Sequence, residues 1–432
     1  MQNFGIVGAG GAGFPSYAKL AQGADLLLIN GAECEPLLYT DYIILKNEMT
    51  MVLSGITEVL EHTKIPKAMI AIKAHTAKKL GVTDGERLAD KIFMRVLPDV
   101  YPLGDEISLI YEATGRLVNP GKLPITQGII VYNVETMYNL GRAARYSEPV
   151  TTTWITIGGD VKSTVVIKVP VGTRVADIFN MLNIELKEGY SVIDGGPSMG
   201  KIINPSTYAV AKTTKGLLIL PDETQAVASK KMDPKMAVVR AETACCQCTR
   251  CTDLCPRHLL GYPLEPHKMV RTAMGVVEAM PEMVMSATLC CGCGLCESLA
   301  CNQGISPRAV IDSYKAVLAK NRLRFNSDGA YKVRAEREYR MVPSEKWTSM
   351  LGITKFDKVA DFYGETEDFA RVEIPLSKHI GAPSVPTVSD GDVVDKGDLI
   401  AMAAEGLSLP QHASISGRVT LGNNKIIIDR VR

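Results

Sequence analysis

The chain has 432 residues, enough for two to four domains. With 48 Lys and Arg against 47 Asp and Glu the net charge is +1, which implies no polyanion-binding surface and disfavours nucleic acid as a partner. Apolar residues make up 46%, sufficient for packed cores, yet no apolar run approaches the ~18–20 residues of a membrane span.

The start runs straight into an apolar stretch with no charged leader, so no signal peptide is expected. Phe4–Val7 reads as a short strand ending in Gly8-Ala9-Gly10-Gly11-Ala12-Gly13-Phe14-Pro15. Gly8, Gly10 and Gly13 fit G-x-G-x-x-G. Such glycines let backbone N–H groups close on a phosphate, and a helix opening behind them adds favourable charge. Pro15 suits a first helical turn. A tight turn without a ligand is the alternative. The next strand, Ala24–Ile29, leads into Asn30-Gly31-Ala32-Glu33-Cys34-Glu35-Pro36. A Rossmann site wants an acid at the strand end, whereas here the acids come later, on a loop. Strands at Ala68–Lys73 and Gly128–Tyr132, with a helix at Leu45–His62, make 1–150 an α/β layer.

Residues 151–215 change character. Thr151–Gly158, Thr164–Val169 and Gly189–Asp194 read as strands and Arg174–Leu182 as a helix, a β-grasp-like pattern. A short strand at Leu217–Leu220 and a polar stretch follow.

Residues 241–325 carry the chemistry. Cys245-x2-Cys248-x2-Cys251-x3-Cys255-Pro256 is followed by Cys290-x2-Cys293-x2-Cys296-x4-Cys301. These runs read as two [4Fe–4S] clusters of the bacterial ferredoxin type, in which each fourth cysteine crosses to the other cluster. Cys245, Cys248, Cys251 and Cys301 would hold one cluster; Cys255, Cys290, Cys293 and Cys296 would hold the other. The second run departs from the pattern in its x4 spacing and in Asn302 replacing proline. Zinc and disulfides are the alternatives, but zinc usually takes two separated C-x2-C pairs. Cys246 and Cys291 adjoin the first ligands, either as packed thiols or as ligands in a shifted register. Thiolate chemistry of this kind fits a reducing, cytoplasmic setting. A Met-rich helix, Lys268–Met280, is expected between the runs as core filling, and an amphipathic helix, Pro307–Lys320, after them. Residues 326–370 read as a charged linker packed on other domains.

Residues 371–432 look all-β. Turn glycines at Gly391 and Gly397 are spaced as in a barrel-sandwich hybrid, and Gly422-Asn423-Asn424 signals a hairpin. No lysine occurs from Gly397 to Asn424. A scaffold or docking module is therefore expected rather than a lipoyl-type swinging arm.

Four segments resemble, in order, the FMN- and NADH-binding fold of the respiratory complex I 51-kDa flavoprotein subunit and of RnfC. They are 8–15 with Lys19, the loop 30–36, Tyr101-Pro102-Leu103-Gly104-Asp105-Glu106, and Asn133-Val134-Glu135-Thr136. The resemblance implies an FMN phosphate held by Gly8, Gly10, Gly11, Gly13 and Lys19. It implies a flavin lined by Asn30, Glu33, Gly104, Glu106, Asn133 and Thr136, with Phe14 and Glu35 facing NADH. Ala32 stands where the 51-kDa subunit has an aspartate. The remaining segments resemble an SLBB-like β-grasp domain, the RnfC two-cluster insert and, at 371–432, a segment that RnfC carries at its N-terminus. That order resembles the PduS-type cobalamin reductases of propanediol-utilising microcompartments.

The resemblance thus implies four parts: an α/β FMN-binding domain, a β-grasp domain, an α-helical two-cluster domain and a C-terminal barrel-sandwich hybrid. It implies an NADH-dependent flavo-iron–sulfur reductase that passes electrons to a corrinoid. An adenosyltransferase and shell proteins would be its partners, inside a bacterial microcompartment. An RnfC-like subunit of a ferredoxin–NAD oxidoreductase, or an electron-wire scaffold without nicotinamide chemistry, are the alternatives. Hydride transfer to flavin needs little acid–base help, so no catalytic side chain is assigned.

Overall fold

The computed structural model describes every residue except Ala12, Ala21, Gln22, Ser327, Asp328 and Arg432. The N-terminal part is built on a five-stranded sheet. Its strands are β1 (Leu26–Asn30), β2 (Ala68–Lys73), β3 (Arg87–Ala89), β4 (Ile92–Leu97) and β6 (Ile129–Asn133), in the order β3-β4-β2-β1-β6. All pairs are parallel except β3–β4. Both faces are covered, which is why these strands read as unbroken apolar runs. Leu27 and Ile29 face α1 (Thr40–Thr63) and α4 (Val134–Tyr146), whereas Leu26 and Leu28 face α3 (Glu106–Thr114). The α1–α4 contact is unusually close, because a Cβ at Gly55 would collide with the Met137 carbonyl and one at Gly141 with that of Met51.

Two local expectations fail at the start of the chain. Phe4–Val7 is no strand: Gln2–Phe4 is a 3₁₀ turn, and Val7 makes only an isolated bridge with Pro15. The glycine loop opens no α-helix either, only a four-residue 3₁₀ turn at Ser16–Lys19. The loop closes on itself, with the Gly8 amide donating to the Phe14 carbonyl and that of Ser16 to the Ile6 carbonyl.

The second sheet has six strands: β7 (Thr152–Gly159), β8 (Val165–Pro170), β9 (Tyr190–Asp194), β10 (Lys201–Ile203), β11 (Gly216–Pro221) and β13 (Asp361–Glu365). Its order is β10-β9-β11-β7-β8-β13. Strand β11 runs through its middle, and β13 closes one edge. Residues 326–370 are thus no plain linker. Besides β13 they supply β12 (Val342–Pro343), paired with β5 (Val100–Tyr101), and the short helix Ser344–Met350, which buries Trp347 completely. The alternation around Trp347 is too short to register as periodicity in the sequence.

The cysteine-bearing region is helical. Pro234–Ala244, Pro266–Ala273 and Pro307–Lys320 enclose it through Ala237, Ala241, Val270 and Val310. The expected helix Lys268–Met280 stops at Ala273. Gly275 takes φ +73° there, and Met280 precedes a proline, which disfavours helical backbone. At the C-terminal end two small antiparallel sheets pack around Val372, Ile374, Ile400, Ile415, Val419 and Ile428. The hairpin Gly417–Gly422/Lys425–Asp429 turns at Asn423-Asn424, with Asn424 at φ +57°.

Candidate functional site

The order of the first sheet fixes where a ligand can enter. From β1 the chain moves to β2 on one side and later returns to β6 on the other, so the topological switch lies between β1 and β6. Open α/β sheets bind ligands beyond the carboxyl ends of strands at such a point. Asn30 ends β1 and Asn133 ends β6. The glycine loop lies against the end of β6 and the start of α4. The Ala9 amide donates to the buried Thr136 hydroxyl at 3.1 Å, and a Cβ at Gly10 would meet only the Asn133 Cβ, at 3.7 Å.

Around this crevice polar side chains hold the loops in place. The Asn30 amide donates to the Gly104 carbonyl at 2.9 Å, and its side-chain oxygen accepts from the Ala32 amide. Asn133 caps α4 by accepting from the Glu135 amide and donates to Asp41 at 2.8 Å. Glu33, at φ +24°, accepts from the Asp41 and Tyr42 amides at the start of α1. Burial and the neighbouring Asp41 carboxylate push its carboxyl up to about 8. Lys19 reaches Glu106 at 2.9 Å and the Val131 carbonyl at 3.1 Å. Glu35 accepts from the Ser198 amide at 2.8 Å, tying the loop to the second sheet's 195–200 turn. Phe14 is half-buried at the mouth. Ala12 of the loop lies outside the described residues.

The crevice suits a phosphate-bearing flavin. The Gly10 and Gly11 amides donate to no atom of the described residues, and Gly11, at φ +92°, faces open space where a side chain would stand. Free amides at a loop of this kind can cradle an anion. Gly104 is needed for packing: a Cβ there would lie 2.7 Å from Cys34 Sγ.

The cysteines gather around two hollows. Cys245, Cys248, Cys251 and Cys301 line one, and Cys255, Cys290, Cys293 and Cys296 line the other. Among the described residues no three His, Cys, Asp or Glu side chains close on a point as a single ion would require; the thiols instead ring a space. An arginine also lines each hollow, Arg271 the first and Arg257 the second, and the buried Nε of each has no hydrogen-bond partner among the described residues. Cationic side chains beside a ring of thiols suit an anionic sulfide cluster. The Gly292 amide donates to Cys290 Sγ at 3.3 Å. Cys246 is exposed beside the first hollow, and Cys291 lines the second.

The second hollow abuts the flavin crevice. The Tyr101 hydroxyl lies 2.8 Å from the Cys293 carbonyl and 3.2 Å from a Glu35 oxygen. Its ring stacks on Trp347 at 4.8 Å, whose indole N–H donates to Ser198 Oγ. The first hollow is farther out, with Cys248 exposed.

Comparison with known proteins agrees part by part. The Nuo51 FMN-binding domain model matches residues 1–142, the 4Fe-4S dicluster domain model 244–306, and the RnfC barrel sandwich hybrid domain model 364–426. Cobalamin reductase PduS of Salmonella typhimurium is 36% identical over 418 residues, 96% of this chain and 92% of that one. This chain belongs to the PduS cobalamin reductase family. The PduS of Citrobacter freundii is 35% identical over the same shares. One component of the proton-translocating ferredoxin:NAD(+) oxidoreductase complex of Clostridium ljungdahlii is 32% identical over 260 residues, 59% of this chain and 54% of that one. As a PduS family member the chain is an oxidoreductase with FMN-binding and [4Fe–4S] domains. Among the described residues no helix is long and apolar enough to cross a membrane.

Beneath the crevice of this PduS relative lies a group that sequence reasoning did not find. Lys215 Nζ is 2.6 Å from Glu135, 3.2 Å from Asp41 and 3.3 Å from Asn133 Oδ1; the lysine and both carboxylates are buried. It fixes Asn133 from below. No spacing signals it, since Lys215 comes from the turn before β11, some 80 residues from Glu135.

Proposed function

We propose that the chain oxidises NADH at an FMN held between β1 and β6 and passes electrons singly through two [4Fe–4S] clusters to a corrinoid. Bound FMN supplies the conversion, taking a hydride and releasing single electrons to one-electron carriers. The amides of Gly10 and Gly11 and the Lys19 ammonium hold its phosphate. Asn30, Glu33, Gly104, Glu106, Asn133 and Thr136 shape the flavin bed, and Gly8 and Gly13 turn the loop over it. Phe14 and Glu35 meet the nicotinamide nucleotide. Cys255, Cys290, Cys293 and Cys296 hold the proximal cluster; Cys245, Cys248, Cys251 and Cys301 hold the distal one. The second sheet serves as a β-grasp domain.

The observation that carries this reading is Tyr101, which touches the nucleotide-side Glu35 and the Cys293 backbone at once. The Cys293 hollow would thereby come between the crevice and the exposed Cys248 hollow, as a relay requires. Similarity to cobalamin reductases along nearly the whole chain favours a corrinoid acceptor, with an adenosyltransferase consuming the product inside a microcompartment. Anaerobic purification should give about eight irons per chain and one FMN. NADH should bleach the flavin, and cob(III)alamin should reoxidise the protein in stopped flow faster than ferredoxin does. Zinc in place of iron, no flavin, or preference for ferredoxin would reject the respective part.

A further inference from the structure

Arg257 follows the Cys255-Pro256 pair and is nearly buried, with 12% of its side chain exposed. One guanidinium nitrogen donates to Asp105 Oδ1 at 2.6 Å. Asp105 belongs to the flavin loop, next to Gly104, and its other oxygen caps α3 by accepting from the Ser108 amide. Arg257 also lines the hollow of Cys255, Cys290, Cys293 and Cys296, and its buried Nε–H has no partner among the described residues. The same guanidinium neighbours the Cys291 thiol and lies over the Tyr262 ring at 5.4 Å. The other cations at this hollow are differently committed. Arg308 is shared between Glu297 at 3.4 Å and the Ser198 carbonyl at 2.8 Å, and Lys315 donates to the Cys290 carbonyl.

We propose that the Arg257–Asp105 pair is a positioning and tuning device that sets the reduction potential of the proximal cluster from the flavin loop. The inference rests on the assignment of the four thiols above to one cluster. One-electron reduction adds one negative charge inside the hollow. A buried guanidinium with a free N–H stabilises that charge, and a carboxylate behind it weakens the effect. The pair therefore acts with opposite signs from its two ends. A member that served packing alone would move the potential in no such ordered way.

The test is an anaerobic redox titration of the intact protein followed by electron paramagnetic resonance, with dithionite as reductant. The signal lost in Cys293→Ser marks the proximal cluster. Arg257→Met should make that cluster's electron-accepting equilibrium about tenfold less favourable, about 59 mV more negative for one electron, with the other midpoint, iron and FMN content unchanged. Asp105→Asn keeps the α3 cap, since asparagine caps as well as aspartate, and should shift the same midpoint positive. Unchanged midpoints in both variants, or shifts of the same sign, would overturn the proposal. If Arg257→Met loses its iron, the sign in Asp105→Asn decides. Absence of two cluster signals in the unmodified protein would instead reject the cluster assignment.

Discussion

Single residues in this chain act through what they leave open. At Gly10 the backbone φ is one any residue adopts, and an added side chain would touch only Asn133 Cβ. Gly10→Val should thus fold and keep both clusters but lose FMN, because the side chain would fill the phosphate's place; flavin and iron counts check this, and retained FMN would remove the loop from the site. Lys212 shows the reverse case. Its ammonium is buried between the Gly5 and Pro410 carbonyls, and among the described residues no carboxylate is bonded to it. Burial lowers it from 10.5 to about 7, and burial followed by Lys212 lowers the adjacent His412 to about 4. A depressed lysine favours the folded state at high pH and loses that contribution as pH falls from about 10.5 to about 7. Lys212→Met should therefore raise the melting temperature, relative to the unmodified chain, more at pH 7 than at pH 10. A difference that is flat with pH would show that the amine does not titrate on unfolding.

Among elements, the closest fit is that of α1 on α4. Gly55 and Gly141 let the two backbones meet, and each excludes a methyl group on the other helix. Gly55→Ala should destabilise the α/β part by ~1–3 kcal/mol, the cost of overpacking, read as a lower urea midpoint at unchanged slope. The helix Ser344–Met350 is the second such element. It plants Trp347 against Tyr101, in one core with Ile193, Leu218 and Leu295, joining three parts of the molecule. Trp347→Ala should cost ~3–5 kcal/mol and loosen the Gly196–Met199 turn that binds Glu35. These elements differ in how far they were legible beforehand. Ala68–Lys73 and Pro307–Lys320 match their apolar periods residue for residue, since long, consistent patterns override local choices. Phe4–Val7 misled because Gly5 takes φ +62° and caps the Gln2–Phe4 turn, which breaks the extended run.

Across the whole molecule the parts are stacked so that the crevice, the near hollow and the far hollow follow one another. The C-terminal sandwich grips the glycine loop from outside, with the Ile380 amide donating to the Gly13 carbonyl and the Tyr17 hydroxyl to the Ser408 carbonyl. It is thus a clamp on the glycine loop. The linear order predicts a separation of half-reactions. Cys248→Ser, which disables the far hollow, should leave NADH bleaching of the flavin at its normal rate and slow reoxidation by corrinoid at least tenfold in stopped flow. Unimpaired reoxidation would mean that electrons leave elsewhere.

By itself the sequence determined which domains carry the chemistry, an FMN-binding one and a [4Fe–4S] one: cysteine spacing, glycine runs and loop motifs are local signals, because residues that share one loop are near neighbours along the chain. It also determined the long strands and helices, whose periods repeat often enough to outweigh chance. Only the tertiary structure decided which hollow faces the crevice, that Arg257 answers Asp105 from 152 positions away, and that Lys215 sits under Asn133. Those contacts are made between surfaces of separately formed units, and no one-dimensional pattern records how two surfaces meet.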